Sequence, residues 1–176
     1  MVTKIKLIIA KYFALKKYAQ KQDSELNFNS FFSDSKSVLI VFPSSISKLS
    51  LEIIELVRFI AIHKKKLFFI HKSIVQKYLP NDFEYAALVV GESDKTRIGL
   101  PTTDLVNRIK KYEFDLVIDL NDEEDIFSSA IANIPKADFR IGFIKENSDK
   151  FYNYQISSEI NSEKSLRNLL NSLRMF

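Results

Sequence analysis

The chain has 176 residues, 46% of them hydrophobic, enough to bury one sizeable core and too few for two full-sized domains. It has no cysteine, which excludes disulfides and thiolate metal centres. Of the net charge of +4, residues 1–22 supply +6 through Lys4, Lys6, Lys11, Lys16, Lys17 and Lys21, and residues 23–176 supply −2, so the body offers no basic face to nucleic acid.

Residues 4–21 read as an amphipathic helix. Ile5, Ile8, Ile9, Tyr12 and Leu15 cluster on one side of a helical projection, and every lysine except Lys16 lies away from the centre of that stripe. No apolar run reaches the roughly 18 residues of a membrane span, and no signal-peptide pattern is present, so the chain is expected to begin where written and to be cytoplasmic. Residues 23–36, rich in Ser, Asn and Asp, read as a linker or docking loop. The division expected is therefore a basic helix and linker over 1–35 and an α/β domain over 36–176.

From Lys36 onward, short apolar runs alternate with helical stretches. Val38–Phe42 is a continuous buried strand closed by Pro43, and 47–63 is a helix ending in Lys64–Lys66, where cations suit the helix dipole. Strands follow at 67–70, 85–90, 114–120, 139–143 and 152–157, with helices at 73–79, 102–112, 122–134 and 162–175 between and after them. Strands apolar on both faces and alternating with helices predict a single Rossmann-like three-layer domain, with a mostly parallel sheet of five to six strands.

In such a sheet, chemistry belongs at the carboxyl ends of the strands. The stretch after the first strand, FPSSISKLS, has no glycine, which excludes a dinucleotide fingerprint and a phosphate-cradling P-loop. Ser44 and Ser45 can offer hydroxyls to an anion, or Ser47 or Ser50 simply cap the helix. The fourth strand ends in Asp119, Asn121, Asp122, Glu123, Glu124 and Asp125, five carboxylates in seven residues. They can hold Mg²⁺ through one or two oxygens, or Asn121 or Asp122 caps the next helix while the acids complement its dipole. Asp119, a carboxylate ending an apolar strand, needs a partner or a ligand. His63 and His71 read as solvated side chains, and Phe151–Tyr154 as a half-buried edge strand. No nucleophile elbow and no His/Glu pair with zinc spacing occurs, so no catalytic residue, metal ligand or cofactor is expected.

Three segments carry a family resemblance. Residues 36–61 (KSVLIVFPSSISKLSLEIIELVRFIA), together with the strand FDLVIDL at Phe114–Leu120 and the strand RIGF at Arg140–Phe143, resemble the amino-terminal half of heptosyltransferase-like glycosyltransferases of the GT-B architecture. The likeness covers residues 36–145 and implies a Rossmann-like half-domain. It also extends to small Bacteroidetes-type proteins that keep such a half-domain behind a basic helix, a likeness that implies no activity. In the glycosyltransferases the first loop resembles P-x-x-(I/L)-G-D, its acid implicated in activating the acceptor hydroxyl; Pro43–Lys48 has neither the glycine nor the acid. Those enzymes bind the donor on a second Rossmann-like domain, and one is legible here.

The expectation is therefore a non-catalytic binding or scaffold protein, docking through Lys4, Ile5, Ile8, Ile9, Lys11 and Tyr12. The occupant of that helix is its own domain, a protein partner or second copy, or an anionic membrane surface, which would make the protein peripheral to the inner membrane. The alternatives are a nucleotide or sugar-phosphate site at Ser44, Ser45, Asp119, Asn121 and Asp122, or the acceptor half of a split glycosyltransferase.

Overall fold

The computed structural model describes residues 2–19, 28–43, 51–159 and 162–176, with side chains from Ile5 onward. The expected second and fifth strands lengthen by three residues each, because neighbours in register extend their ladders, while the fourth keeps its length and shifts one residue towards the amino terminus. The strands are β1 (Ser37–Val41), β2 (Lys66–Lys72), β3 (Ala86–Val90), β4 (Glu113–Asp119), β5 (Lys136–Phe143) and β6 (Tyr154–Ile156). All five pairings are parallel, in the order β3-β2-β1-β4-β5-β6. Parallel strands need long crossovers, which the helices supply, and both faces are covered; hence the unbroken apolar run Val38–Val41 at the centre of the sheet, every side chain buried.

The helices are α1 (Val2–Tyr18), α2 (Phe31–Asp34), α3 (Leu51–Ile62), α4 (Thr103–Ile109), α5 (Ile126–Ala132) and α6 (Ser162–Leu173). The pleat sends alternate strand residues to opposite layers. Val38, Ile40, Phe69, Leu116, Ile118, Ile141 and Phe143 meet α2, α3 and α6. Leu39, Val41, Phe68, Ile70 and Val117 meet α1, α4 and α5. The last helix shows how spacing dictates burial: Leu166, Leu169, Leu170 and Leu173 form one stripe, and all four are buried.

Several local expectations change. The stretch 73–79 is a 3-10 helix over Ser73–Tyr78. The helix expected to start at Asp122 starts at Ile126, because Asp125 is the residue that caps it, accepting from the amides of Phe127 at 3.0 Å and Ser128 at 3.2 Å. Phe151 and Tyr152 precede the last strand and are fully buried, not half-buried within it. His71 is 1% exposed, with Nδ1 2.8 Å from the Lys72 carbonyl and the ring edge-on to Phe42, while His63 is exposed as expected.

Part of the stretch expected as linker contributes to the core. Phe31 packs on Phe139 and Phe176, and Phe32 stacks on Phe59. Buried Lys65 holds this turn in place: its Nζ donates to the carbonyls of Phe32 at 2.5 Å and Ser35 at 2.6 Å, and lies 4.4 Å from the centre of the Phe32 ring. Burial lowers the Lys65 pKa from its ordinary value, against the attraction of Asp115 and Asp34.

Candidate functional site

The strand order reverses between β1 and β4, and there Val41 pairs with Asp119. Ligands of open parallel sheets bind outside the carboxyl ends of the strands at this reversal. Asp119 sits at that point and is 0% exposed. Its Oδ1 accepts from the Asn121 amide at 3.1 Å and from Asn121 Nδ2 at 2.6 Å. Its Oδ2 accepts from Lys145 Nζ at 3.2 Å and from the Tyr152 hydroxyl. A carboxylate offers about four lone-pair directions, and four donors occupy them here.

Each donor is brought by a different part of the chain. Asn121 follows β4 directly and folds back on Asp119. Lys145 stands two residues past the end of β5, its side chain 6% exposed, and its Nζ also donates to the Asn121 carbonyl at 2.8 Å. Tyr152 comes from the segment leading into β6, with the Ser129 hydroxyl of α5 3.0 Å from its oxygen. Burial, then the neighbouring Asp119 charge, push the Tyr152 phenol well above its ordinary pKa, so it stays a donor. The cluster is a closed carboxylate, ammonium and phenol network that locks the ends of β4, β5 and β6 together.

The RIGF strand has structural reasons for both of its distinctive residues. A Cβ on Gly142 would lie 2.7 Å from three atoms of the Tyr152 ring, so only glycine leaves room for that ring. Arg140 is buried and donates to the carbonyls of Ala132 at 3.3 Å, Pro135 at 2.7 Å and Ala137 at 2.7 Å. It thereby satisfies acceptors at and beyond the carboxyl end of α5. Burial draws its pKa down to about 10.

Helix α1 packs on its own domain. Ala10, Ala14 and Tyr18, four residues apart, are buried against the layer containing α5, and Lys11 bridges Glu124 and Glu146 at 2.7 Å each. Those two acids follow β4 and β5, so Lys11 ties the helix to the carboxyl edge of the sheet. Lys11, expected on the docking face, is therefore engaged on its own domain, and Leu15 of the apolar stripe is half-buried against the same core. The rest of the stripe lies roughly opposite the alanines round the helix and faces outward. Ile5 is 49% exposed, Ile8 65%, Ile9 39% and Tyr12 62%, with Leu7 and Phe13 exposed beside them.

Of the residues singled out in the sequence, Asp119 and Asn121 meet, while Asp122 turns to accept from the Ser162 hydroxyl at the start of α6. Ser44, Ser45 and the side chain of Lys4 lie outside the described residues. Lys145 and Ser129 have no signal in the sequence, and Tyr152 and Gly142 were expected only as parts of strands. The glycine inside a strand was the available signal, since it marks a close approach. Among the described residues, no group of three or more His, Asp or Glu side chains is placed to hold a metal ion. On the α3 side of the same edge lies a cavity of about 210 Å³, lined by Phe42, Ile53, Val57, Leu79 and their neighbours.

Six parallel strands reversing order at β1 and β4 make this a Rossmann-like α/β protein, and its fold resembles one half of a GT-B heptosyltransferase. The solved structures it matches include the glycosyl transferase family 9 protein from Veillonella parvula, with a TM-score of 0.60 and 18% identity, covering 80% of this chain and 42% of that one. They also include the E. coli heptosyltransferase WaaC with ADP-2-deoxy-2-fluoro heptose, with a TM-score of 0.55 and 16% identity, covering 76% of this chain and 47% of that one. The chain thus spans less than half the length of either. It belongs to DUF6913, a family of unknown function whose sequence pattern matches residues 11–173. The sequence matches none of the curated proteins. No helix among the described residues is long and apolar enough to cross a membrane.

Proposed function

We propose that this protein is a non-catalytic binding or scaffold module, in which the α/β body is the platform and α1 the docking element. One contrast carries the reading. At the mouth of the sheet, the acid best placed for chemistry has its acceptor positions filled by Asn121, Lys145 and Tyr152. On α1, six large apolar side chains between Ile5 and Phe13 are exposed. Concentrated apolar exposure marks an interaction surface, whereas a saturated buried carboxylate has nothing left to offer a substrate.

Proximity labelling in the source cell, comparing the wild-type chain with the Ile8→Glu/Tyr12→Glu variant, tests this reading. A set of neighbours lost with the variant is the expected result. An unchanged set at equal protein level overturns it.

The fold likeness to WaaC supports a second reading, a sugar-nucleotide site at the same mouth or the acceptor half of a split transferase. ADP and Mg²⁺ at about one hundred times the dissociation constant would then stabilise the fold by about 2.7 kcal/mol, and the Asp119→Ala variant would lose that response.

A further inference from the structure

The outer face of α1 is graded along its length as well as round its circumference. Five consecutive residues, Ile5, Lys6, Leu7, Ile8 and Ile9, are all exposed, so this end of the helix stands clear of the body on every side. Four of the five are large and apolar. The aromatic pair Tyr12 and Phe13 follows, with ring centres 5.6 Å apart, and the exposed lysines Lys16 and Lys17 come one turn later. At about 1.5 Å per residue, Ile8 and Lys16 are separated by about 12 Å along the axis. Apart from Lys4 and Lys6 at the tip, hydrocarbon, interfacial aromatic and cation therefore succeed one another in the order in which a bilayer presents acyl chains, interface and phosphate.

The charge favours an anionic surface over a second copy of the chain. Residues 1–22 contain no Asp or Glu, and Lys11 is already matched by Glu124 and Glu146, which leaves Lys6, Lys16 and Lys17 exposed and without a described acidic partner, Lys17 lying 5.2 Å from the centre of the Tyr18 ring. Pairing α1 with its copy would gather like charges on both helices. A groove on a protein takes one stripe of a helix, whereas here Ile5, Leu7, Ile8 and Ile9 point to several sides at once. A fluid acyl phase accommodates such a tip, and Lys6 can snorkel back to the phosphates.

We infer that α1 is an interfacial anchor for anionic lipid bilayers, with Ile5–Ile9 entering the acyl boundary, Tyr12 and Phe13 at the headgroup level, and Lys16 and Lys17 on lipid phosphates. This rests on the reading of α1 as the docking element and names what it docks on.

Co-sedimentation of the full chain with phosphatidylcholine vesicles, with and without about one third phosphatidylglycerol, tests the inference. Binding should be at least about tenfold tighter to the anionic vesicles and should weaken as salt rises from about 0.05 to about 0.5 M. Ile8→Glu should abolish it. Lys16→Gln/Lys17→Gln, at about fivefold per lysine, should weaken it by about twentyfold or more. Both substitutions are at exposed positions, and an unchanged circular dichroism spectrum confirms the fold. Two results overturn the inference in different ways. If the chain ignores anionic vesicles but light scattering shows a dimer that Ile8→Glu dissociates, a second copy is the occupant and the docking reading stands. If the vesicles are ignored and proximity labelling is also unaffected by the α1 variant, both fall.

Discussion

The ring of Tyr152 lies directly on the α-carbon of Gly142, so close that a methyl group there would meet three ring atoms at 2.7 Å. That contact aims the Tyr152 hydroxyl at Asp119, across two strands and at the point where the strand order reverses. Gly142→Ala should therefore overpack the site and displace the ring. We expect a loss of about 1 to 3 kcal/mol in urea unfolding, together with a change in near-ultraviolet circular dichroism from the displaced tyrosine. A variant as stable as wild type would show that the ring has room to move.

Tyr152→Phe keeps the ring and removes the donor, leaving Asp119 Oδ2 with Lys145 alone. The cost should be about 1 to 3 kcal/mol at neutral pH. The pH dependence has a definite sign. Because the folded phenol titrates well above the ordinary value of 10.0, the unfolded chain releases this proton first as pH rises. The contribution of Tyr152 is thus fully present below pH 10 and is lost as pH rises from there towards the folded value. Wild type should lose stability above pH 10 more steeply than Tyr152→Phe, and parallel profiles would contradict this.

The buried pair of Asp119 and Lys145 should couple strongly. Lys145→Met leaves an unneutralised carboxylate in the interior, at a cost of about 3 kcal/mol or more. Asp119→Asn in the same chain removes that charge, so the double variant should be more stable than the sum of the two single losses allows. A double-mutant cycle in chemical denaturation measures the coupling, and additivity would mean that the pair does not interact.

Arg140 serves three carbonyls with one planar fork. Lysine keeps the charge but cannot reach three acceptors set at such different angles. Arg140→Lys should cost about 2 kcal/mol and raise hydrogen exchange at the carboxyl end of α5, over residues 132–137, ahead of the rest of the chain. Uniform exchange would locate the loss elsewhere.

The sequence determined the layers of this protein, because periodicity reports local geometry. Val38–Phe42 is apolar at every position and Phe114–Leu120 at all but Asp115 and Asp119, as strands covered on both faces tend to be, and the leucines of α6 repeat at the helical period. Those signals need no knowledge of the neighbours. The resemblance of FDLVIDL and RIGF to heptosyltransferase strands belongs to the same legible part, since these residues build the core and the turns around it.

What surrounds Asp119 was decided by tertiary structure. Lys145 and Tyr152 lie 26 and 33 positions further along the chain and arrive only when β5 and β6 complete the sheet, so no local spacing announces them. The same holds for α1. Both of its faces are compatible with burial, one through Ala10, Ala14 and Tyr18 and the other through Ile5, Ile8, Ile9 and Tyr12. Hydrophobicity alone favours the larger side chains, but Ala10 and Ala14 let the helix approach the layer containing α5 closely, and Glu124 and Glu146 meet Lys11 there, so the small-residue face packs inward. Close packing and the Lys11 ion pairs go with the buried face, and the larger apolar residues are left outside.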